Sequence, residues 1–207
     1  MRALIALLAA LAALPATAQV HRAADHAFRV VELARGLEQP WALAFLPDGR
    51  MLVTEKAGRL RVVKDGRLDP QPVAGLPEVA VHGQGGLMDV ALHPRFKEDG
   101  LLYWSFAARG ADGVGTEVAR GRLKDHRLED VQVIFRQSPK GTTGRHFGSR
   151  LVFDRQGYLY ITLGDRGEME RAQLPGDHAG SVIRLHDDGR VPDDNPFVGR
   201  PGWKPEK

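Results

Sequence analysis

The 207-residue sequence contains no cysteine. Disulfide bonds and cysteine-ligated metal sites are therefore excluded, so the chain has to be stabilised by packing and hydrogen bonding. Long apolar runs are also scarce. The longest, residues 3–14, is shorter than the roughly 20 residues that a membrane-spanning helix needs. We therefore expect no membrane span.

A continuous basic stripe, which nucleic-acid-binding domains normally show, is missing as well. The 29 Lys and Arg residues are interspersed with 26 Asp and Glu residues, for a net charge of +3. We therefore expect no nucleic-acid partner. Helical apolar periodicity is also scarce after the N-terminal segment. The whole sequence has 24 glycines and 13 prolines, and most of them separate short apolar runs. This pattern predicts an all-β fold.

The N-terminal segment has the features of a secretory signal peptide. Arg2 supplies the positive start, residues 3–14 the apolar core, and residues 16–18, Ala-Thr-Ala, a cleavage site. We interpret residues 1–18 as the signal peptide, cleaved near Ala18, and residues 19–207 as the mature domain. The mature protein is then expected in the periplasm or outside the cell.

Three segments share the order strand, turn, strand and align at Leu43, Val90 and Leu151. Repeats of about 40 to 50 residues with this order are typical of β-propeller blades, although a β-sandwich also contains serial hairpins. About three blades are visible, whereas closed propellers have roughly four to eight. We therefore expect the chain to be the N-terminal portion of a longer propeller. Further outer strands are predicted at residues 60–63, 117–120, 131–135 and 181–185.

The third repeat predicts a rim with candidate functional residues. Residues 151–153 and 158–163 are separated by a turn and should pair antiparallel, which places His146 and Asp165 at the same end of the hairpin. Gln84 precedes the second hairpin as His146 precedes the third, so Gln84 should share this rim. An imidazole at such a position is a candidate general base.

The other polar residues near strand ends favour structural roles. Asp165 and Glu55 are interpreted as acids at the ends of outgoing strands, and His82 and His93 as structural histidines. Asp193, Asp194 and Asn195 lie between two prolines and lack EF-hand spacing, so a rigid turn is favoured over a calcium loop.

Six motifs, taken in order, resemble the soluble, pyrroloquinoline-quinone (PQQ)-dependent sugar dehydrogenases of the glucose/sorbosone dehydrogenase family, above all their aldose sugar dehydrogenase branch. They are QPWALAF at 39–45, LVTE at 52–55, GQGGLMDVALHP at 83–94, RHFGSRLVF at 145–153, LGDRG at 163–167 and VPDDNPF at 191–197.

The resemblance implies a six-bladed β-propeller, of which this chain holds about the first three blades. It implies PQQ and calcium as cofactors, and oxidation of the C1 hydroxyl of an aldose to a lactone with hydride transfer to the quinone. His146 matches the family's general base and contacts cofactor and substrate, and Gln84 matches a contact to both. Electrons would pass on to a periplasmic or artificial acceptor.

One departure from the pattern concerns the substrate. Arg145 stands where the glucose-specific branch has an aspartate, so Arg145 is expected at the substrate site and the sugar preference is not carried over. The family's calcium ligands would lie beyond residue 207, so no metal ligand is assigned here. Two other readings stay open: a non-catalytic propeller that binds glycans or protein, and a calcium-dependent lactonase.

Overall fold

The computed structural model describes residues 20–207, so the expected signal peptide lies outside the described residues. The first two strands, β1 (Val20–Arg22) and β2 (Ala27–Arg29), form an antiparallel ribbon in a separate compact unit that ends at Leu33. The rings of His21 and Phe28 stack across this ribbon at 5.5 Å.

The rest of the described chain forms three antiparallel sheets in which each strand pairs with the next along the chain. The first sheet contains β3 (Pro40–Phe45), β4 (Met51–Glu55), β5 (Arg59–Lys64) and β6 (Arg67–Leu68). The second contains β7 (Leu87–Leu92), β8 (Leu101–Gly110), β9 (Gly113–Lys124) and β10 (Arg127–Arg136). The third contains β11 (Gly148–Phe153), β12 (Leu159–Leu163) and β13 (Val182–Leu185).

Helix is nearly absent from residues 20–207, which confirms the all-β prediction. The described helical segments are α1 (Phe96–Asp99) and a 3-10 segment, Met169–Gln173. Helix α1 lies in the connection between β7 and β8, and Gly100 follows it at a left-handed C-terminal position, φ 66°. No helix in this part of the chain is long and apolar enough to cross a membrane.

The three repeats share the strand register that the sequence predicts. Leu43, Val90 and Leu151 pair with Val53, Trp104 and Ile161, in each case directly after an irregularity in the first strand of the sheet. The predicted outer strands are also present, in β5, β9, β10 and β13.

Two apolar cores lie between successive sheets. Strand β8 contributes to both cores, because successive side chains of a strand point to opposite faces of the sheet. Leu102, Trp104 and Phe106 belong to the core shared with the first sheet. Tyr103 belongs to the core shared with the third sheet, beside Leu151, Leu159, Ile161 and Ile183. The second sheet is therefore buried on both faces.

Hydroxyl groups repeat at equivalent positions and join the sheets. Thr54 Oγ1 accepts the N–H of Ala42 at 3.0 Å and donates to the carbonyl of Met88, in the next sheet, at 2.6 Å. Ser105 Oγ likewise accepts the N–H of Asp89 at 2.9 Å and donates to the carbonyl of Ser149 at 2.8 Å. Sheets that pack face to face in chain order are typical of propeller blades. The three described sheets do not close a ring.

Candidate functional site

Three of the predicted residues meet at one end of the second and third sheets. This end is defined by the pairs Leu87 with Phe106 and Gly148 with Leu163. The backbone N–H of His146 donates to Gln84 Oε1 at 2.8 Å, and His146 Nδ1 lies 2.7 Å from Asp165 Oδ1. The predicted sharing of one rim by these three residues is confirmed.

The chemistry of Asp165 determines which nitrogen of His146 is protonated. The N–H of Gly167, at 2.8 Å, and the His146 ring both donate to Asp165 Oδ1, and with the nearby Arg145 they lower the pKa of this carboxyl below its ordinary value. An ionised carboxylate only accepts hydrogen bonds, so His146 Nδ1 carries the proton. The neutral ring then has its free lone pair on Nε2, which is a proton acceptor.

The ring of His146 is accessible, with half of its side chain exposed. Within residues 20–207, its Nε2 atom forms no hydrogen bond, whereas Nδ1 is held by Asp165. The free nitrogen is thus on the side of the ring away from Asp165. A ligand hydroxyl at this rim could donate to it.

Glycines allow the loops of the rim to approach each other closely. A Cβ atom at Gly83 would lie 2.0 Å from the carbonyl oxygen of Gly144, and one at Gly164 would lie 2.1 Å from that of His146. Both distances are far below van der Waals contact, so these two positions require glycine. The loop before β7 and the loop before β11 are joined further by the Gln84 N–H, which donates to the carbonyl of Gly144 at 2.6 Å.

Arg145 is exposed beside the imidazole. Its guanidinium passes close to Gly167, where a Cβ atom would lie 2.5 Å from Arg145 Nε. Its positive charge contributes to the lowered pKa of Asp165. The structure therefore places Arg145 against the loop that carries Asp165.

Arg166, which directly follows Asp165, is fully buried. Its guanidinium lies 3.5 Å from the centre of the Phe147 ring and donates to the carbonyls of Arg145 and Thr143, both at 2.5 Å, and of Val114 at 3.3 Å. Burial lowers the pKa of Arg166 to about 10, so it remains a cation at neutral pH.

Two further acids form structural ion pairs. The buried carboxylate of Glu55 lies 2.6 Å from Arg59 Nε and 3.3 Å from Arg61 Nη1. The carboxylate of Asp89, also buried, accepts the N–H of Leu151 at 2.7 Å and pairs with Arg150 at 3.0 Å, which joins β7 to β11. These contacts fit the structural interpretation of Glu55.

His82, His93 and the proline-flanked turn form contacts of their own with other residues. His82 Nε2 contacts the carbonyl of Thr142 at 3.0 Å, and the buried His93 ring lies 2.5 Å from Asp99. Asp194 pairs with Arg184 at 2.8 Å inside a turn. No group of three or more His, Asp or Glu side chains that could hold a metal ion occurs among the described residues.

Sequence reasoning missed the contacts of two residues. Asp165 was interpreted as a strand-end acid, although antiparallel pairing had already placed it beside His146. Arg166 had no signal of its own, because its left-handed backbone (φ 62°) and its buried side chain follow from tertiary packing. The Gly-Asp-Arg-Gly segment was noted only as part of a longer motif.

Comparison with known proteins connects this geometry to one family. The family model for glucose/sorbosone dehydrogenase matches residues 37–206. The chain belongs to this family. It is 44% identical to the aldose sugar dehydrogenase YliI of Escherichia coli, over 98% of this chain and 53% of that protein. The chain spans about half the length of the curated relatives that it matches.

Solved structures of the glucose/sorbosone dehydrogenase family agree with the fold. The apo-form of the soluble aldose sugar dehydrogenase of E. coli is 45% identical, with a TM-score of 0.79, covering 82% of this chain and 50% of that one. The PQQ-bound aldose sugar dehydrogenase of Streptomyces coelicolor is 27% identical, with a TM-score of 0.72, covering 91% of this chain and 54% of that one.

The rim residues fit a quinone better than a metal ion. PQQ is a planar polyanion whose carboxylates and carbonyls accept hydrogen bonds, and the rim offers the exposed Gln84 amide and the exposed guanidinium of Arg145. The buried Arg166, which forms no salt bridge among the described residues, adds a second positive charge near this rim. Calcium prefers several carboxylate or carbonyl oxygens. The described acids at this rim are engaged by protein donors, so they do not fit a calcium site.

Proposed function

We propose that this chain contributes the proton-accepting part of a PQQ-dependent aldose dehydrogenase, which oxidises the C1 hydroxyl of a sugar to give a lactone. The observation that supports this most directly is the pair of His146 Nδ1 and Asp165 Oδ1, 2.7 Å apart, in a half-exposed position. Family membership supports the reaction class, and the contact between His146 and Asp165 supports His146 as the proton acceptor.

The proposed role of each residue follows from its contacts. His146 Nε2 accepts the proton of the C1 hydroxyl as a general base. Asp165 keeps Nδ1 protonated and stabilises the imidazolium that forms. Gln84 and His146 contact the sugar and the cofactor, and Arg145 contacts the sugar. Gln84 Oε1 also accepts the backbone N–H of His146 at 2.8 Å. When bound, the quinone supplies the acceptor for the C1 hydride, so the alcohol loses two electrons.

The larger assembly is part of the same proposal. The three described sheets would be the first half of a six-bladed propeller, with further cofactor contacts and the calcium ligands in the second half. The protein would work in the periplasm or outside the cell and would pass electrons to a periplasmic or artificial acceptor. The family membership and the roughly half-length coverage support this arrangement.

Cofactor binding and sugar oxidation test this function together. The chain, and a form that includes any sequence following Lys207 in its reading frame, are mixed with PQQ and calcium. Quinone binding is measured by absorbance and aldose oxidation by reduction of a redox dye. We expect both signals from the form that holds the complete site. A folded longer form that binds no quinone and reduces no dye would support the binding-propeller reading, and lactone hydrolysis without dye reduction would support the lactonase.

A further inference from the structure

Arg166 is a buried cation whose charge is not neutralised by an ion pair. Its side chain is fully buried, and no salt bridge to it is found among residues 20–207. The other buried arginine among the described residues, Arg171, pairs with Asp177 at 2.8 Å. Because an unpaired buried charge is costly, such a residue is retained where its hydrogen bonds serve a purpose.

The hydrogen bonds of Arg166 converge on the loop that carries the base. The guanidinium donates to the carbonyls of Thr143 and Arg145, so it holds the residue directly before His146. The ring of Phe147, directly after His146, lies 3.5 Å below the same guanidinium. In return, Thr143 Oγ1 donates to the carbonyl of Arg166.

The same residue is also fixed to the carboxylate of the site through the backbone. Arg166 directly follows Asp165, and both Arg166 and His146 have left-handed backbones, with φ of 62° and 53°. Non-glycine residues keep this conformation only where the surrounding structure holds them. One side chain therefore connects the segment bearing the base to the segment bearing its carboxylate.

We propose that Arg166 is a positioning residue that sets the His146–Asp165 hydrogen bond by clamping the loop on both sides of His146. The proposal rests on the proposed function for its catalytic consequence, but its structural part does not. The planar fork of donors explains the choice of arginine. A lysine ammonium has three N–H donors on one nitrogen, so it cannot span the three carbonyls as the planar fork of arginine does.

The first test measures the hydrogen bond between His146 and Asp165 directly, in the chain without cofactor. The Nδ1 proton of His146 is followed by ¹⁵N-edited NMR and assigned with His146→Ala. We expect Arg166→Met to abolish or broaden this signal and Arg166→Lys to retain it in part. Arg184→Met is the matched control, because Arg184 also stacks on an aromatic ring, Tyr158 at 3.9 Å, and donates to Asp194. It should leave the signal unchanged.

The second test measures dye-linked sugar oxidation by the complete enzyme. Arg166→Met is expected to lower kcat by at least about tenfold with a smaller change in KM, since general-base catalysis contributes roughly 10²–10⁴-fold. A folded Arg166→Met protein with an unchanged His146 signal and unchanged kcat would overturn the proposal. If Arg166→Met does not fold, the same criteria apply to Arg166→Lys. An altered signal in a protein that never oxidises sugar would uphold the clamp and reject the proposed function.

Discussion

At the scale of single residues, the site depends on a chain of hydrogen bonds that runs from Gly167 through Asp165 to His146. Each donor in this chain favours the ionised carboxylate, which in turn determines the tautomer of the ring. The pKa of Asp165 is lowered, so this carboxylate stays ionised over the whole neutral and mildly acidic range. The base is therefore ready to accept a proton without a prior change of tautomer.

Replacement of Asp165 by asparagine tests this chain. Asp165→Asn removes the negative charge that stabilises the imidazolium, and its amide can hold the ring in the wrong tautomer. We expect kcat for dye-linked sugar oxidation to fall by at least about tenfold, within the 10²–10⁴-fold that a general base contributes. Asp154→Asn is the control, because Asp154 caps the turn at the opposite end of the hairpin. Equal activity of the two variants would contradict the assigned role.

The buried carboxylate of Glu55 gives a prediction for stability. Burial raises its pKa, but the N–H of Glu38 and the guanidinium groups of Arg59 and Arg61 lower it more, so it lies below the ordinary value of 4.5. A group with a lowered folded-state pKa stabilises the fold above its unfolded pKa and loses this effect as the pH falls through the folded one. The contribution of Glu55 is therefore complete at neutral pH and declines only below pH 4.5.

Glu55→Gln should accordingly reduce the free energy of unfolding by about 1–3 kcal/mol at pH 7. In denaturant titrations, the difference from the unmodified chain should shrink as the pH falls below the ordinary value of 4.5 and through the lower folded-state pKa of Glu55. Glu38→Gln is the matched control, because Glu38 pairs with Arg59 but is largely exposed. Its effect should stay below about 1 kcal/mol. A pH-independent loss for Glu55→Gln would refute the ionised pair.

The positions of the site residues were largely predictable, and their side-chain contacts were not. Antiparallel pairing alone placed His146, Gln84 and Asp165 on one rim, and the structure agrees. The contact between His146 and Asp165 depends on side-chain direction, which is set by a left-handed backbone at His146 (φ 53°). The alternation of apolar and polar residues in the sequence does not predict a left-handed backbone. For the same reason it does not predict the burial of Arg166.

At the scale of secondary structure elements, the hydroxyls that link successive sheets are the most regular feature. Thr54 and Ser105 occupy equivalent strand positions, and each joins a backbone N–H of its own sheet to a carbonyl of the next. Thr162 holds the third equivalent position and accepts the N–H of Arg150 at 3.0 Å. These hydroxyls satisfy backbone groups that the irregularity in each first strand leaves unpaired.

Thr54→Val tests the importance of this link. Valine has the same shape, but it leaves the N–H of Ala42 and the carbonyl of Met88 without their partner in a fully buried position. We expect a loss of about 1–3 kcal/mol in the free energy of unfolding. Thr162→Val is the matched control, since Thr162 is exposed in this chain. Similar losses for both variants in thermal and denaturant unfolding would show that burial of the link is unimportant.

The strands were predictable because their apolar residues alternate between turns rich in glycine and aspartate. Their lengths were less predictable. β9 begins at Gly113, well before the predicted strand at residues 117–120. It is longer because it pairs continuously with β8 from Leu101 to Gly110. The short helix α1 was missed for a similar reason. Four residues are too few to show a helical apolar period.

At the scale of the whole molecule, three sheets share two cores in chain order, and the proposed base, His146, lies where the second and third sheets meet. This explains why the repeat in the sequence and the functional motifs coincide. The same first-strand irregularity that shapes each sheet precedes Leu43, Val90 and Leu151, and the candidate site residues lie just upstream of two of them. The six-bladed form belongs to the proposed function, because the three described sheets do not close a ring.

The measurement that tests the central claim most directly compares His146→Ala with His82→Ala in the quinone-loaded complete enzyme. Both histidines lie in the paired loops of the rim, but only His146 contacts a carboxylate, while His82 contacts the carbonyl of Thr142. We predict that His146→Ala lowers kcat for dye-linked aldose oxidation by about 10²–10⁴-fold while quinone binding is retained, and that His82→Ala has little effect on kcat. Full activity in the folded His146→Ala enzyme would contradict the account.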